Sequence, residues 1–156
     1  NMGLDNGIRL RMSKELAARA PAWVFGYLDD IETLPNGETD GEICYWRKCW
    51  GYRGIMMDIT GDSFNDNDHT SLTFDDCEKF IEAVEQSFDS TTDIDDNGDY
   101  IEPRFKFDED CYSSCWNARE VVVNYLRMTY HLQAICNWLR DNASPDDYEI
   151  YFYDSY

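Results

Sequence analysis

The sequence predicts an α+β fold, in which a small sheet pairs the N- and C-terminal strands and packs on two or three helices. Two patterns support this class. Apolar and polar residues alternate near both ends of the chain, as in half-buried strands, and apolar residues recur every three or four positions between them, as in helices. At 156 residues the chain has the length of one domain. We therefore expect a single acidic globular domain over residues 2–156, with Asn1 left over from an expression tag.

The predicted N-terminal elements are a strand and a short helix. Residues 7–12 (GIRLRM) place apolar side chains at every second position, which predicts a strand with one buried face. Ser13 is a typical N-cap and precedes a short helix over residues 14–20, which a proline ends. Residues 22–34 fit neither pattern and are closed by the turn signal PNG.

Three longer helices are predicted from apolar spacing. Apolar residues recur at helical spacing over residues 42–60, and two glycines in this segment each destabilise the predicted helix by about 1 kcal/mol. Residues 74–88 give the clearest pattern, because Thr73 opens an approximate capping box before an apolar stripe. The third pattern runs over residues 109–142 and is expected to break near Thr129.

The remaining segments are two acidic loops, a short extended piece and a last strand. The loops cover residues 61–71 and 89–103, and the extended piece is RFKF at 104–107. In residues 148–156 (YEIYFYDSY), side chains again alternate with a period of two. This segment predicts a C-terminal strand whose natural partner is the N-terminal strand.

The six cysteines are expected to be free thiols, because no secretion signal directs the chain to an oxidising compartment. Cys77, Cys111 and Cys115 fall on apolar faces of predicted helices, where a thiol acts as a small hydrophobic side chain. Pairing Cys44 with Cys49, and Cys111 with Cys115, gives only a weak match to a structural zinc site. We expect a protein that stays where it is made, without a membrane segment.

Negative charge is concentrated in the second part of the chain. Residues 1–56 carry 7 Lys/Arg and 8 Asp/Glu, a net of −1, whereas residues 57–156 carry 6 and 24, a net of −18. Such a field repels nucleic acid and anionic membranes, and it attracts cations or the basic surface of another protein. The charge therefore argues against direct nucleic-acid binding.

The stretch from Asp93 to Arg104 begins like a calcium-binding loop. Weak metal-ligand candidates are Asp93, Asp95 and Asn97, but a bidentate Glu is required where the chain has Arg104. An ordinary turn with Gly98 at its tip is the simpler interpretation, ahead of adventitious cation binding and of a specific calcium site. We therefore expect no cofactor, with Ca²⁺ as the weak alternative.

Other candidates for chemistry are few. Residues 62–68 and the adjoining His69 form a second Asp-rich cluster, but ligands in one loop lack the fixed geometry that metal catalysis needs. His131 is expected to be a half-buried, hydrogen-bonded residue rather than a base. The chain has no glycine-rich phosphate loop, HExxH pair or GxSxG motif. Dispersed active sites leave no such motif, so catalysis stays an alternative.

The strongest candidate site is an acidic stripe on the predicted helix over residues 74–88. Four carboxylates, from Glu78 to Asp89, recur at i, i+4, i+7 and i+11, and so advance about 4.5–6 Å along the helix axis per step. Phosphates of duplex DNA advance about 3.4 Å per strand, which is of the same order. The predicted partner-binding residues are Asp75, Glu78, Glu82, Glu85, Asp89, Asp93, Asp95, Asp96 and Asp99. The competing interpretation is a charged face that serves only solubility.

Three motifs carry a resemblance. The chain has MGLD at residues 2–5, YWRK at residues 45–48 and an aromatic strand at residues 148–156. Together these resemble an uncharacterised family of small phage and prophage proteins that open with MGLD, carry YWRK on a helix and finish with an aromatic strand. The resemblance implies a mobile-element origin and a cytoplasmic location, and it supplies no activity for any residue.

The sequence thus favours a non-enzymatic, acidic, phage-type interaction protein that binds the basic surface of a host nucleic-acid-binding protein. Its sharpest form is a DNA-mimic inhibitor of a defence protein, either anti-CRISPR or anti-restriction. One alternative is a divalent-cation-binding or catalytic protein that uses the Asp-rich loops. Another is a virion or assembly component whose contacts come from aromatic residues near Trp46, Trp50 and the C-terminal strand.

Overall fold

The computed structural model describes residues 5–47, 49–64, 69–88, 93–94, 96–97, 100–101 and 118–155. Strands and helices are mixed along the chain, which confirms the predicted α+β class. The elements are β1 (Asp5–Met12), α1 (Lys14–Arg19), α2 (Ala22–Gly26), β2 (Asp29–Thr33), β3 (Thr39–Arg47), α3 (Trp50–Thr60), β4 (His69–Ser71), α4 (Phe74–Gln86), β5 (Asp93–Ile94), β6 (Tyr100–Ile101), α5 (Ala118–Asn142), a 3-10 turn (Pro145–Asp147) and β7 (Tyr148–Ser155).

The main sheet has five antiparallel strands in the order β2-β3-β1-β7-β4. β1 is central and pairs with β7 along its whole length, from Asp5 opposite Ser155 to Met12 opposite Tyr148. The predicted pairing of the N- and C-terminal strands is therefore confirmed. The first and last strands of the chain thus form the middle of the sheet.

One face of the sheet is apolar and the other is polar. On β1, Ile8, Leu10 and Met12 are fully buried in the core, together with residues of α3, α4 and α5. Arg9 and Arg11 point to the opposite face, because successive strand residues alternate in direction. The predicted period-two pattern of this strand is confirmed.

Two predicted helices are confirmed, with one correction. α4 begins with a complete capping box, in which Thr73 and Asp76 exchange side-chain and backbone hydrogen bonds, both of 3.0 Å. α5 continues through Thr129, so the predicted break is wrong. The Thr129 hydroxyl donates to the Leu126 carbonyl at 2.7 Å, which satisfies the side chain within the helix.

The prediction of one helix over residues 42–60 is wrong in its first half. β3 continues to Arg47, with Trp46 buried and Tyr45 exposed, and the helix α3 begins only at Trp50. The YWRK motif therefore starts on a strand rather than on a helix. The reason is non-local: β3 is hydrogen-bonded to β1 along its length, and such pairing overrides a local apolar spacing.

The prediction that all cysteines are free is wrong for Cys49, which is disulfide-bonded. Cys44, Cys77 and Cys136 are free and buried, as predicted for structural thiols. The suggested zinc pairing of Cys44 with Cys49 is therefore also wrong. Sequence spacing alone does not reveal which cysteines form a disulfide, because the bond requires a specific Cα separation and orientation.

Little of the acidic segment between α4 and α5 is described. Asp93 and Ile94 pair with Ile101 and Tyr100 in a two-stranded antiparallel hairpin. The predicted turn is confirmed at Asp96 and Asn97. The predictions for residues 104–107 and for the helix over residues 109–117, including Cys111 and Cys115, fall outside the described residues.

Candidate functional site

The predicted acidic stripe lies on the solvent side of α4. Asp75, Glu78, Glu82 and Glu85 are exposed, and Phe80 and three other apolar residues of the same helix are buried. The amphipathic pattern that predicted this face is therefore confirmed for Glu78, Glu82 and Glu85, and Asp75 is exposed on the same helix.

The other predicted partner-binding residues are only partly described. Asp96 is exposed in the turn between β5 and β6. Asp93 is described through its backbone, whereas Asp89, Asp95 and Asp99 lie outside the described residues. The structure therefore places the stripe on α4 and leaves the contribution of the loop as a prediction.

Two of the four exposed carboxylates described on α4 form ion pairs within the protein. Asp75 forms an ion pair of 3.0 Å with Lys79 one turn later, and Glu78 forms one of 3.0 Å with Arg140 of α5. Within the described ranges, neither Glu82 nor Glu85 has a cation partner, and Glu82 accepts a hydrogen bond from the side chain of residue 86. The uncompensated negative charge of α4 thus lies at the C-terminal end of the helix.

The Asp62 carboxylate has a structural role at the start of the second Asp-rich cluster. It accepts hydrogen bonds from the Thr70 hydroxyl and, at 3.2 Å, from the Phe64 amide. These bonds, the Thr70 bond first, lower the pKa of Asp62. His69 lies against the ring of Tyr151 at 4.9 Å. In the part of the chain that the structure describes, no three His, Cys, Asp or Glu side chains are grouped as metal ligands.

A cleft that the sequence did not predict lies between the edge of the sheet and α5. Its volume is about 460 Å³, and its polar lining includes Asp29, Glu42, Tyr45, Arg127 and His131. β2 pairs with β3 only as far as Glu42, so the rest of β3 faces α5 instead of a strand. At this edge the Tyr45 amide contacts the sulfur of a methionine of α5 at 3.2 Å. We call this site the β3–α5 cleft.

The acidic wall of the β3–α5 cleft is formed by Asp29 and Glu42, which are directly opposite each other in the β2–β3 ladder. Glu42 accepts a hydrogen bond from the Tyr153 hydroxyl and lies 3.5 Å from the guanidinium of Arg9. Burial raises the pKa of Glu42, and the charges of Asp30 and Asp29 add to this effect, whereas Tyr153 and Arg9 oppose it. The hydrogen bond from Tyr153 and the ion pair with Arg9 thus hold the Glu42 carboxylate in place.

Arg9 is fixed on the polar face of the sheet. Its Nε donates to Asp40, whose other oxygen accepts a hydrogen bond of 2.6 Å from the Tyr151 hydroxyl. A further nitrogen of Arg9 donates to the backbone carbonyl of Asp30 at 2.9 Å. The same guanidinium lies 3.4 Å from the Asp30 carboxylate, so Arg9 pairs with Asp30 and Asp40 as well as with Glu42.

An aromatic cluster lies beside the β3–α5 cleft and includes His131 from its lining. His131 stacks on Tyr27 with 4.0 Å between ring centroids, and Tyr130 and Trp23 pack edge-on around Tyr27. Tyr130 is 65% exposed, which is unusually high for an aromatic side chain. Burial, and then the charge of Arg127, lower the pKa of His131. His131 is half-buried as predicted, and stacking holds its ring.

Sequence reasoning missed the cleft because its residues come from α2, β2, β3 and α5. One available signal was the unassigned stretch 22–34, where aromatic residues lead directly into carboxylates. The predicted contact role of Trp46 is wrong, because this ring is 1% exposed and packs against Tyr52 and Phe80 in the core. Trp50 is exposed, as that alternative requires.

None of the helices in the described ranges combines the length and apolar character needed to cross a membrane.

Comparisons with known proteins identify no relative. No protein-family model, no curated protein and no solved structure matches the chain. The resemblance to phage and prophage proteins therefore stays a prediction.

Proposed function

We propose that the chain is a non-enzymatic, phage-type interaction protein whose acidic surface docks on the basic surface of a host nucleic-acid-binding protein. In its sharpest form the protein mimics DNA and inhibits a restriction or CRISPR protein. The observation that carries the proposal is the exposed carboxylate row of α4, which ends in Glu82 and Glu85 without compensating cations among the described residues.

The carboxylate row destabilises α4, which supports a functional role for it. Glu82 and Glu85 are three residues apart on the same helix face, and like charges at this spacing destabilise a helix by roughly 0.2–0.5 kcal/mol. The C-terminal end of a helix also favours cations over carboxylates. A net charge of −19 would attract a basic partner over a distance and accelerate encounter.

Charge reversal on α4 tests the proposal. The variant Glu82→Lys/Glu85→Lys leaves the ion pairs of Asp75 and Glu78 intact, so the fold should survive. A matched control, Glu15→Lys/Asp58→Lys, changes the net charge equally at exposed positions on α1 and α3. Each tagged protein is incubated with bacterial lysate, washed at low and then high salt, and its bound proteins are identified by mass spectrometry.

We expect the wild type and the control to retain a nucleic-acid-binding protein that high salt or added duplex DNA releases. The α4 variant should bind this protein at least tenfold more weakly. Equal retention by the α4 variant, or binding that duplex DNA does not compete, would contradict DNA mimicry.

A virion or assembly component is the second candidate, favoured by the exposed rings of Trp50 and Tyr130. Light scattering over a range of protein concentrations distinguishes it. A mass that rises in whole multiples of the chain would favour assembly, and a constant monomer mass would remove this candidate.

A further inference from the structure

We propose that the β3–α5 cleft binds a positively charged side chain, an arginine or a lysine, that the partner protein presents. The inference rests on the proposed function for the existence of a basic partner. It adds a second contact surface, separate from α4, and the chemistry of the group that enters it.

Like charges meet at the acidic wall of the cleft. Asp29 and Glu42 are cross-strand neighbours, and like charges directly opposite each other destabilise a sheet. The neighbouring carboxylate of Asp30 is paired with Arg9 at 3.4 Å. A local charge conflict that the fold retains is typical of functional sites.

Among the residues that the structure describes, Asp29 differs from its neighbours in having no cation of its own. Arg9 lies 3.5 Å from the Glu42 carboxylate and 3.4 Å from the Asp30 carboxylate, and so compensates those two charges. Asp29 is exposed and has no cation partner within the described ranges. A cation that enters the cleft would therefore offset the repulsion between Asp29 and Glu42.

The lining of the cleft includes the rings of Tyr45 and His131. Tyr45 lines the cleft with a ring that is 41% exposed, and its hydroxyl donates to Asp5 at 2.6 Å, which restricts the ring. An exposed aromatic face attracts guanidinium and ammonium groups. His131 also lines the cleft, and burial, followed by the charge of Arg127, lowers its pKa, which favours the neutral ring over a charged one that would repel a cation.

Arg127 determines the orientation of the ligand. It lies on the α5 wall, where its Nη2 donates to the Asn124 side chain at 2.5 Å. Because Arg127 repels a second cation from that wall, the charged end of a ligand is directed to Asp29 and Glu42. The volume of about 460 Å³ is within the range of small-ligand sites and accommodates the long stem of an arginine or lysine side chain.

An organic cation fits the site better than a metal ion. No metal-ligand group of three occurs among the described residues, and the cleft offers two carboxylates with aromatic rings. Outside the cleft, Tyr130 and Trp23 are exposed. Aromatic residues of this kind are enriched at the centres of protein interfaces.

The test is an NMR titration of the isotope-labelled full chain at low salt. The probe is N-acetyl-arginine-N-methylamide, and the matched control is the citrulline analogue, which has nearly the same shape without the charge. We expect saturable shifts at Asp29, Tyr45 and His131 with the arginine probe, and at least fivefold weaker shifts with citrulline. Similar shifts with both compounds, or unsaturable shifts spread over α4, would overturn the inference.

Variants separate the cleft from the general acidity of the protein. Asp29→Asn removes one exposed charge and should weaken binding of the arginine probe at least fivefold, and Tyr45→Leu should weaken it through loss of the ring. Asp58→Asn removes one exposed charge from α3, outside both the cleft lining and α4, and should leave binding unchanged. Equal weakening by Asp29→Asn and Asp58→Asn would show non-specific attraction and refute the site.

The outcomes distinguish this inference from the proposed function. If the arginine probe fails to bind but charge reversal on α4 abolishes partner capture, the proposed function stands and the cleft site is wrong. If the probe binds as expected and no nucleic-acid-binding partner is captured, the cleft site stands without that function.

Discussion

The buried carboxylate of Asp154 on β7 is paired with Arg53 of α3. The Asp154 side chain is 0% exposed and that of Arg53 is 14% exposed, and Nε of Arg53 donates to Oδ2 of the carboxylate. Another nitrogen of Arg53 donates to the Phe64 carbonyl at 2.7 Å. Arg53 therefore links α3, the last strand and the loop that follows α3.

Replacing Arg53 with methionine is expected to lower the free energy of unfolding by about 3–5 kcal/mol, because it leaves a buried charge without its partner. Loss of the bond to Phe64 contributes about 1 kcal/mol within that range. Asp154→Asn alone should cost about 1–3 kcal/mol. The double variant should cost less than the sum of the two, with a coupling energy of about 2 kcal/mol.

The effect should depend on pH. Burial raises the pKa of Asp154, and the charge of Arg53 opposes this shift. In Arg53→Met the opposing charge is lost, so the pKa rises further above the unfolded value of about 3.9. The folded variant then binds a proton more tightly than the unfolded chain, and it regains stability as pH falls through the raised pKa. The difference in the free energy of unfolding between Arg53→Met and the wild type should therefore become smaller as the pH falls.

Urea unfolding followed by tryptophan fluorescence, at about pH 7 and about pH 5, measures both quantities. The control is the double variant, which lacks the buried charge and should show little of the pH dependence. A cost for Arg53→Met below about 1 kcal/mol, or additive effects in the cycle, would refute the role assigned to this ion pair.

Three further outcomes are expected. Cys49→Ala should lower the free energy of unfolding by about 2–4 kcal/mol, because it deletes the disulfide. It should also remove the effect of a reducing agent on the melting temperature. A variant that responds to the reducing agent as the wild type does would contradict the disulfide. Gly7→Ala should lower the free energy of unfolding by about 1–3 kcal/mol, because the added Cβ would lie 2.4 Å from the Cys44 carbonyl oxygen. Gly54→Ala in α3 meets nothing within 4 Å and should raise it by about 1 kcal/mol. Equal effects of the two substitutions would contradict this difference in packing. Millimolar calcium, magnesium, manganese or zinc should leave the melting temperature unchanged, and a rise with any of them would favour the cation-binding alternative.

The candidate site divides into a part that the sequence predicted and a part that it did not. The carboxylate row of α4 follows from helical spacing, so its exposure could be predicted from residues 74–88 alone. The ion pair between Glu78 and Arg140 could not, because the two residues are 62 positions apart. The β3–α5 cleft was also missed, since Asp29, Glu42 and Arg127 meet only after β2 and α5 are placed beside β3.

Local chemistry determined the elements that the sequence predicted. Period-two alternation specified β1 and β7, and a capping box with an apolar stripe specified α4, because these signals lie within a few neighbouring residues. The tertiary structure alone decided that residues 42–47 join the sheet, that Cys49 forms a disulfide and that Trp46 is buried. Each of these outcomes depends on the tertiary arrangement, and hydrogen bonding to β1 and burial in the shared core outweighed the local preference of the segment for a helix.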